Sequence, residues 1–249
     1  MGLISILGRM IQKRTETPAA SVIRTDTPLG LHQGSTVDLP DVDIALAQVN
    51  GSIITVPFTT QVVISVGTYR KWGLTVHNCY LSDGSSFIQL VTDANGKIVE
   101  SKLWCSHNQT EILPQTVEDW EFWLGSYQKD ANGDFVRDSQ GRAIRREYGL
   151  IGWPQFQVDG PPAVVYNRAW SPGEEGVEPV EYTEIIVDDQ GRSVTVKHEA
   201  MEYARRLADT ADAVTESLLA TMVQDQGVAA MNIFVGIPLD HQNLKILQR

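Results

Sequence analysis

A chain of 249 residues with 42 % apolar content can bury the core of one large domain or two small ones. Its formal net charge of −11 argues against broad binding to nucleic-acid phosphates, which needs a clustered basic surface. No apolar run approaches the roughly 18 residues of a membrane-spanning helix. The start shows neither a charged leader nor a small-residue cleavage site, and two cysteines read as reduced thiols, so a cytoplasmic protein is expected.

Residues 1–36 read as a flexible N-terminal arm, followed by a single domain over 37–249. In the arm, Leu3, Leu7, Met10 and Ile11 share one helical face, and Arg9, Lys13 and Arg14 accompany them with no acid in residues 1–14. That is the pattern of a short interfacial helix. It makes Leu3, Leu7, Arg9, Met10, Lys13 and Arg14 candidates for weak peripheral contact with an anionic membrane. The competing readings are a frayed terminus and a helix docked on the protein's own acidic surface. Residues 15–36 are rich in Thr, Pro, Ser and Gly and read as linker.

From Ile53 onward the chain turns to β signals. Ile53–Phe58, Gln61–Ser65 and Leu74–Leu81 are rich in β-branched and aromatic residues, and Ser85–Thr92 and Lys97–Cys105 flank the hairpin signal Asp93-Ala-Asn-Gly96. Asp138-Ser-Gln-Gly-Arg142 and Asp188-Asp-Gln-Gly-Arg192 share that turn's plan and predict two further hairpins. Thr116 and Asp119 have capping-box spacing for a short helix that Gly125 ends, with Trp120, Trp123 and Leu124 facing the core. Residues 149–170 read as aromatic-rich strands, and Met231–Ile237 as a buried closing strand.

One long helix is predicted over His198–Gln226. Tyr203, Leu207, Ala211, Val214, Leu218 and Met222 recur at steps of four, four, three, four and four, and Gly227 follows as a stop signal. Glu202, Arg206, Asp209, Asp212 and Glu216 occupy the other side. The expected fold is therefore α+β: mainly antiparallel hairpins, with this C-terminal helix packed on the sheet.

Chemical motifs are sparse. His77 and Cys79, with Cys105 and His107, offer the donors of a zinc site, but the gap inside each pair is too short and an intervening strand would hold the pairs apart, so no metal is expected. Asp130-Ala-Asn-Gly-Asp134 opens like a calcium loop, yet Phe135 and Gly141 stand where glycine and glutamate are required, and a hairpin turn is the better reading. His198-Glu199 lacks the second histidine of a zinc-protease helix. Arg137, Arg142, Arg145 and Arg146 form the densest basic patch. Glu174, Glu175, Glu178, Glu181, Glu184, Asp188 and Asp189 form an acidic run that could bind divalent cations or a basic partner, with a solvated loop as the default reading. No phosphate loop or nucleophile elbow is present, and no cofactor is expected.

Tyr80-Leu-Ser-Asp-Gly84 with Phe87-Ile-Gln-Leu90, Tyr166-Asn-Arg-Ala-Trp170, Met201-Glu-Tyr-Ala-Arg205 and Val235-Gly-Ile-Pro-Leu239 together resemble the YjfK-like family of uncharacterised bacterial proteins. The resemblance implies a cytoplasmic accessory protein working near the inner membrane, with a membrane-stress or small membrane protein as partner. The residues themselves suggest packing. Tyr166, Arg168 and Trp170 would share one strand face, with the arginine stacked between the rings. A second reading gathers Tyr166, Arg168, Trp170 and Arg205 into a ligand pocket. The function expected is a non-enzymatic interaction protein linked to envelope stress; the alternative is an enzyme or small-ligand module using that pocket.

Overall fold

The computed structural model describes residues 27–56, 58–107, 112–158, 163–208, 213–225 and 228–247. The candidate membrane residues Leu3, Leu7, Arg9, Met10, Lys13 and Arg14 lie outside them. The strands are β1 (Thr36–Asp38), β2 (Thr60–Lys71), β3 (Leu74–Leu81), β4 (Ser86–Thr92), β5 (Ile98–Ser106), β6 (Gly125–Tyr127) and β7 (Arg145–Tyr148) in the first part of the chain. The second part adds β8 (Gln155–Val158), β9 (Val164–Arg168), β10 (Val180–Asp188), β11 (Ser193–Arg206), β12 (Thr215–Asp225), β13 (Val228–Pro238) and β14 (Lys245–Leu247).

Pairing runs β2-β3-β4-β5-β13-β12-β11-β10 and returns from β10 to β2, which closes an eight-stranded antiparallel barrel. Strand accounts for 52 % and helix for 11 % of the protein, so it is mostly β. The α+β expectation is corrected. Among the described residues the α-helices are two short ones, Asp41–Val49 and Val117–Leu124.

The long C-terminal helix does not exist. Its sequence forms the β11–β12 hairpin, with Tyr203 opposite Leu218 and Met201 opposite Ala220. A step of four suits a helical face, but it is also twice the strand period, so Leu218 and Met222 keep one side of β12. Leu207 and Val214 lie between the two strands, where the Leu207 N–H bonds the Val214 carbonyl. On the supposedly polar side, Glu202 and Glu216 are buried.

Closure puts much of the barrel wall between two apolar layers, while β10 and the first half of β11 leave their outer side exposed. Inside, side chains from strands around the ring meet: Tyr80, Phe87, Trp104, Ile186, Leu219 and Phe234 form one cluster, and the Phe87 and Phe234 rings lie 5.2 Å apart. Outside, Leu31, Val37, Leu39, Ile44 and Ala47 cover Val63, Cys79, Leu81, Ile88 and Leu103. On another outer face, Trp123, Ile151, Phe156 and Tyr166 cover Met201, Tyr203, Leu218 and Met222. Leu31, in the stretch read as linker, is thus part of this core.

Local signals hold where the turn chemistry is explicit. Asp93, Asp130, Asp138 and Asp188 each accept, through one carboxylate oxygen, the backbone N–H groups two and four residues ahead. The Asp130 segment is therefore a hairpin turn of the same plan. Thr116 and Asp119 form the capping box, Gly125 ends that helix at φ 88°, and Trp123 is buried. Ile53–Phe58, by contrast, forms no strand among its described residues.

Candidate functional site

A groove of about 560 Å³ lies where the β2–β3 turn, the β6–β7 ribbon, the 171–179 loop and the β10–β11 pair meet. Its aromatic wall starts at a two-residue turn. Lys71 pairs with Leu74, leaving Trp72-Gly73 as the connection, both with positive φ of 52° and 78°. This is the twist that tight hairpins require, and asparagine ordinarily supplies its first position. Tryptophan there costs about 1–2 kcal/mol of backbone strain. The ring stays 64 % exposed, with an edge contact to Trp170 at 5.7 Å.

The acidic wall follows from register. Glu181 on β10 stands directly opposite Glu199 on β11, and neither carboxylate forms an ion pair among the described residues. Like charges in that relation are destabilising. Burial raises the Glu199 carboxyl above its ordinary range, and Glu181 and Glu178 add to the rise while Arg145 opposes it. The folded carboxyl holds its proton to higher pH than the unfolded one. Folding thus takes up a proton, and stability falls as pH rises from the ordinary glutamate range through the folded value. Glu199→Gln is expected to gain roughly 0.5–1 kcal/mol at neutral pH and nothing near pH 3, compared by urea unfolding at both.

Between these walls sits Arg145, whose side chain is only 8 % exposed. Its guanidinium lies over the Tyr127 ring at 4.6 Å, donates to the Tyr127 hydroxyl at 2.8 Å and also donates to the Leu124 carbonyl. Nε, 3.6 Å from a Glu178 carboxylate oxygen, has no hydrogen-bond acceptor among the described residues. The groove thus offers a crowded pair of carboxylates and an exposed indole, with Lys71 and Arg142 also in its lining and the Arg145 Nε buried beneath.

Arg168 builds one rim. It is buried and donates to the carbonyls of Gly152, Ser171 and Glu175 at 2.7–2.9 Å, which ties the acidic loop to the barrel. Tyr166 and Arg205 meet elsewhere, at Glu216. That fully buried carboxylate accepts from the Tyr166 hydroxyl at 2.9 Å and from Arg205 at 2.6 Å and 2.9 Å. The four pocket candidates are therefore divided: Tyr166 and Arg205 converge, Arg168 holds the loop, and Trp170 touches the groove through Trp72. Within the basic patch, Arg137 bonds the Gly141 carbonyl, while Arg142 bonds Asp138 and lines the groove with Arg145.

The zinc candidates are spread over the barrel wall. Cys79 pairs with Ile88, Cys105 with Ser86 and His77 with Leu90, so β4 separates the two sets. His107 follows β5, its backbone N–H bonding the Ile233 carbonyl. Among the described residues no three His, Cys, Asp or Glu side chains converge as a metal site. Burial pushes both thiols up to about 12, so neither is a reactive thiolate at neutral pH.

Sequence reasoning missed a polar network inside the barrel. Glu184, with no exposed surface, accepts from Asn78 at 2.8 Å and Tyr80 at 2.9 Å, and His198 Nε2 lies 3.0 Å away. Burial and then Glu184 hold the Tyr80 hydroxyl protonated, as a permanent donor. The inward parity of Asn78, Tyr80, Glu184 and His198 would have been the signal, once closure was known.

Searches of curated proteins and of solved structures return no match. Residues 7–149 and 138–245 match the model of a single family, described as protein of unknown function (DUF2491), and the chain belongs to that family.

Proposed function

We propose that the protein is a non-enzymatic interaction protein whose groove receives a basic, extended segment of a protein partner. The Glu181–Glu199 pair carries this reading. Two carboxylates are kept face to face at a cost to stability. A lysine or arginine head placed between them would relieve the repulsion, and its apolar stem would lie along Trp72. The overall charge of −11 would speed encounter with such a partner.

The finer resemblance to YjfK-like bacterial proteins belongs to this proposal. It supports a cytoplasmic protein beside the inner membrane, with a membrane-stress or small membrane protein as partner. The alternative pocket at Tyr166, Arg168, Trp170 and Arg205 has less support, since a ligand would first have to displace the internal bonds of both arginines.

The test is a titration of indole fluorescence with short synthetic peptides of lysine, of arginine and of glutamate. Binding of the basic peptides, weakened by salt and lost in a Glu181→Gln/Glu199→Gln variant, is expected. Equal binding by the double variant, or none by the wild type, would remove the proposal.

A further inference from the structure

The Asp41–Val49 helix is apolar on two sides. Ile44 and Ala47 are buried against the barrel, while Val42, Leu46 and Val49 remain 76 %, 53 % and 85 % exposed. Their spacing of four and then three draws one stripe along the outer face. A surface helix ordinarily turns polar residues outward, so this stripe lacks a cover. Its margin is acidic. The helix has Asp41 and Asp43 in its first turn and no basic residue in its last, and the backbone of Asp240 lies 3.5 Å from Asp43 Oδ2.

The same chain contains the complement. Leu3, Leu7, Met10 and Ile11 repeat at helical spacing, with Arg9, Lys13 and Arg14 as the charges of residues 1–14. We infer that residues 3–14 dock on the outer face of the Asp41–Val49 helix, apolar side against Val42, Leu46 and Val49 and basic residues against the aspartates. The connection permits it. The twelve residues 15–26 span up to about 40 Å when extended. Leu31, near the start of the described chain, packs in the same core cluster as Ile44 and Ala47, so both lie on one side of the barrel. A tether of this length supplies an effective concentration of roughly millimolar, enough to keep a weak contact occupied.

This contact is independent of the groove. It gives the basic segment a resting place that competes with an anionic membrane, because one apolar face cannot serve both. Membrane contact would then begin with release from the helix.

A spin label on Ser5→Cys, in the full chain, tests the docking. Cys79 and Cys105 are buried, so the label goes to the new thiol. The expected result is selective broadening of the Val42, Leu46 and Val49 methyl resonances, unchanged on dilution. A Leu46→Glu/Val49→Glu variant, altered only at exposed positions, should lose the broadening and bind phosphatidylglycerol vesicles severalfold better. No broadening would overturn the inference. So would broadening that appears only between labelled and unlabelled molecules, which would mean a second copy on the stripe. Vesicle binding unchanged in the variant would overturn it as well.

Discussion

Glu216→Ala is expected to lower stability by about 3–5 kcal/mol, read as a large fall in the urea midpoint at nearly unchanged slope. One oxygen of this carboxylate accepts from Tyr166 and Arg205, and the other from the Ser52 hydroxyl at 2.6 Å and the Ile53 backbone N–H at 2.9 Å. It therefore fastens β12, β9, β11 and the chain that follows the Asp41–Val49 helix to one point. Alanine would leave a mostly buried guanidinium without its counter-charge and three donors without this acceptor. Glu216→Gln is not a repair, because an amide must turn an N–H₂ toward donors on one side or the other. The exposed pair of Arg142 with Asp138 gives the contrast: Asp138→Asn should cost far less in the same assay.

Gly67→Ala should cost about 2–4 kcal/mol, although its backbone conformation is open to alanine. A methyl group there would come within 1.8 Å of a Glu184 carboxylate oxygen. A carboxylate at the surface would swing aside. This one is fully buried and held by Asn78 and Tyr80, with His198 Nε2 3.0 Å away, so moving it breaks the network inside the barrel. Coupling is the decisive readout. In a Glu184→Ala background the added cost of Gly67→Ala should drop below about 1 kcal/mol, whereas additive losses would mean that the two positions do not meet.

The sequence was most readable where a residue's role is settled within a few neighbours. Asp93, Asp138 and Asp188 announce their turns because the side chain bonds the backbone just ahead. Thr116 and Asp119 announce a helix start for the same reason. Alternation, the ordinary mark of a strand, holds in the first half of β11 and fails where the barrel wall is covered on both sides. All seven residues of β4 are buried, and Glu216 sits on the outward face with Leu218 and Met222. With alternation hidden, steps of four through Tyr203, Leu207, Leu218 and Met222 took on the look of a helix.

The groove was visible only in parts. Arg145 stood in a basic patch and Glu181 in an acidic run, but the opposition of Glu181 to Glu199 needs the β10–β11 register, which no local pattern states. Trp72 left one overlooked clue, a bulky residue before glycine in a connection too short for anything but a tight turn. The Glu184 network is less accessible still, since its members come from β3, β10 and β11 and share a side only once the ring is closed.

Closure also bears on how the protein is made. β2 pairs with β10, and β13 enters between β5 and β12, so the seams join segments from opposite halves of the chain. Such long-range pairings carry a heavy loop-closure cost and place the protein among slow folders. During synthesis, β5 has an open edge until residues 228–238 have left the ribosome. For that interval the growing chain can pair with a neighbour as readily as with itself. Its yield in a cell should therefore depend on the speed at which translation reaches the last long strand.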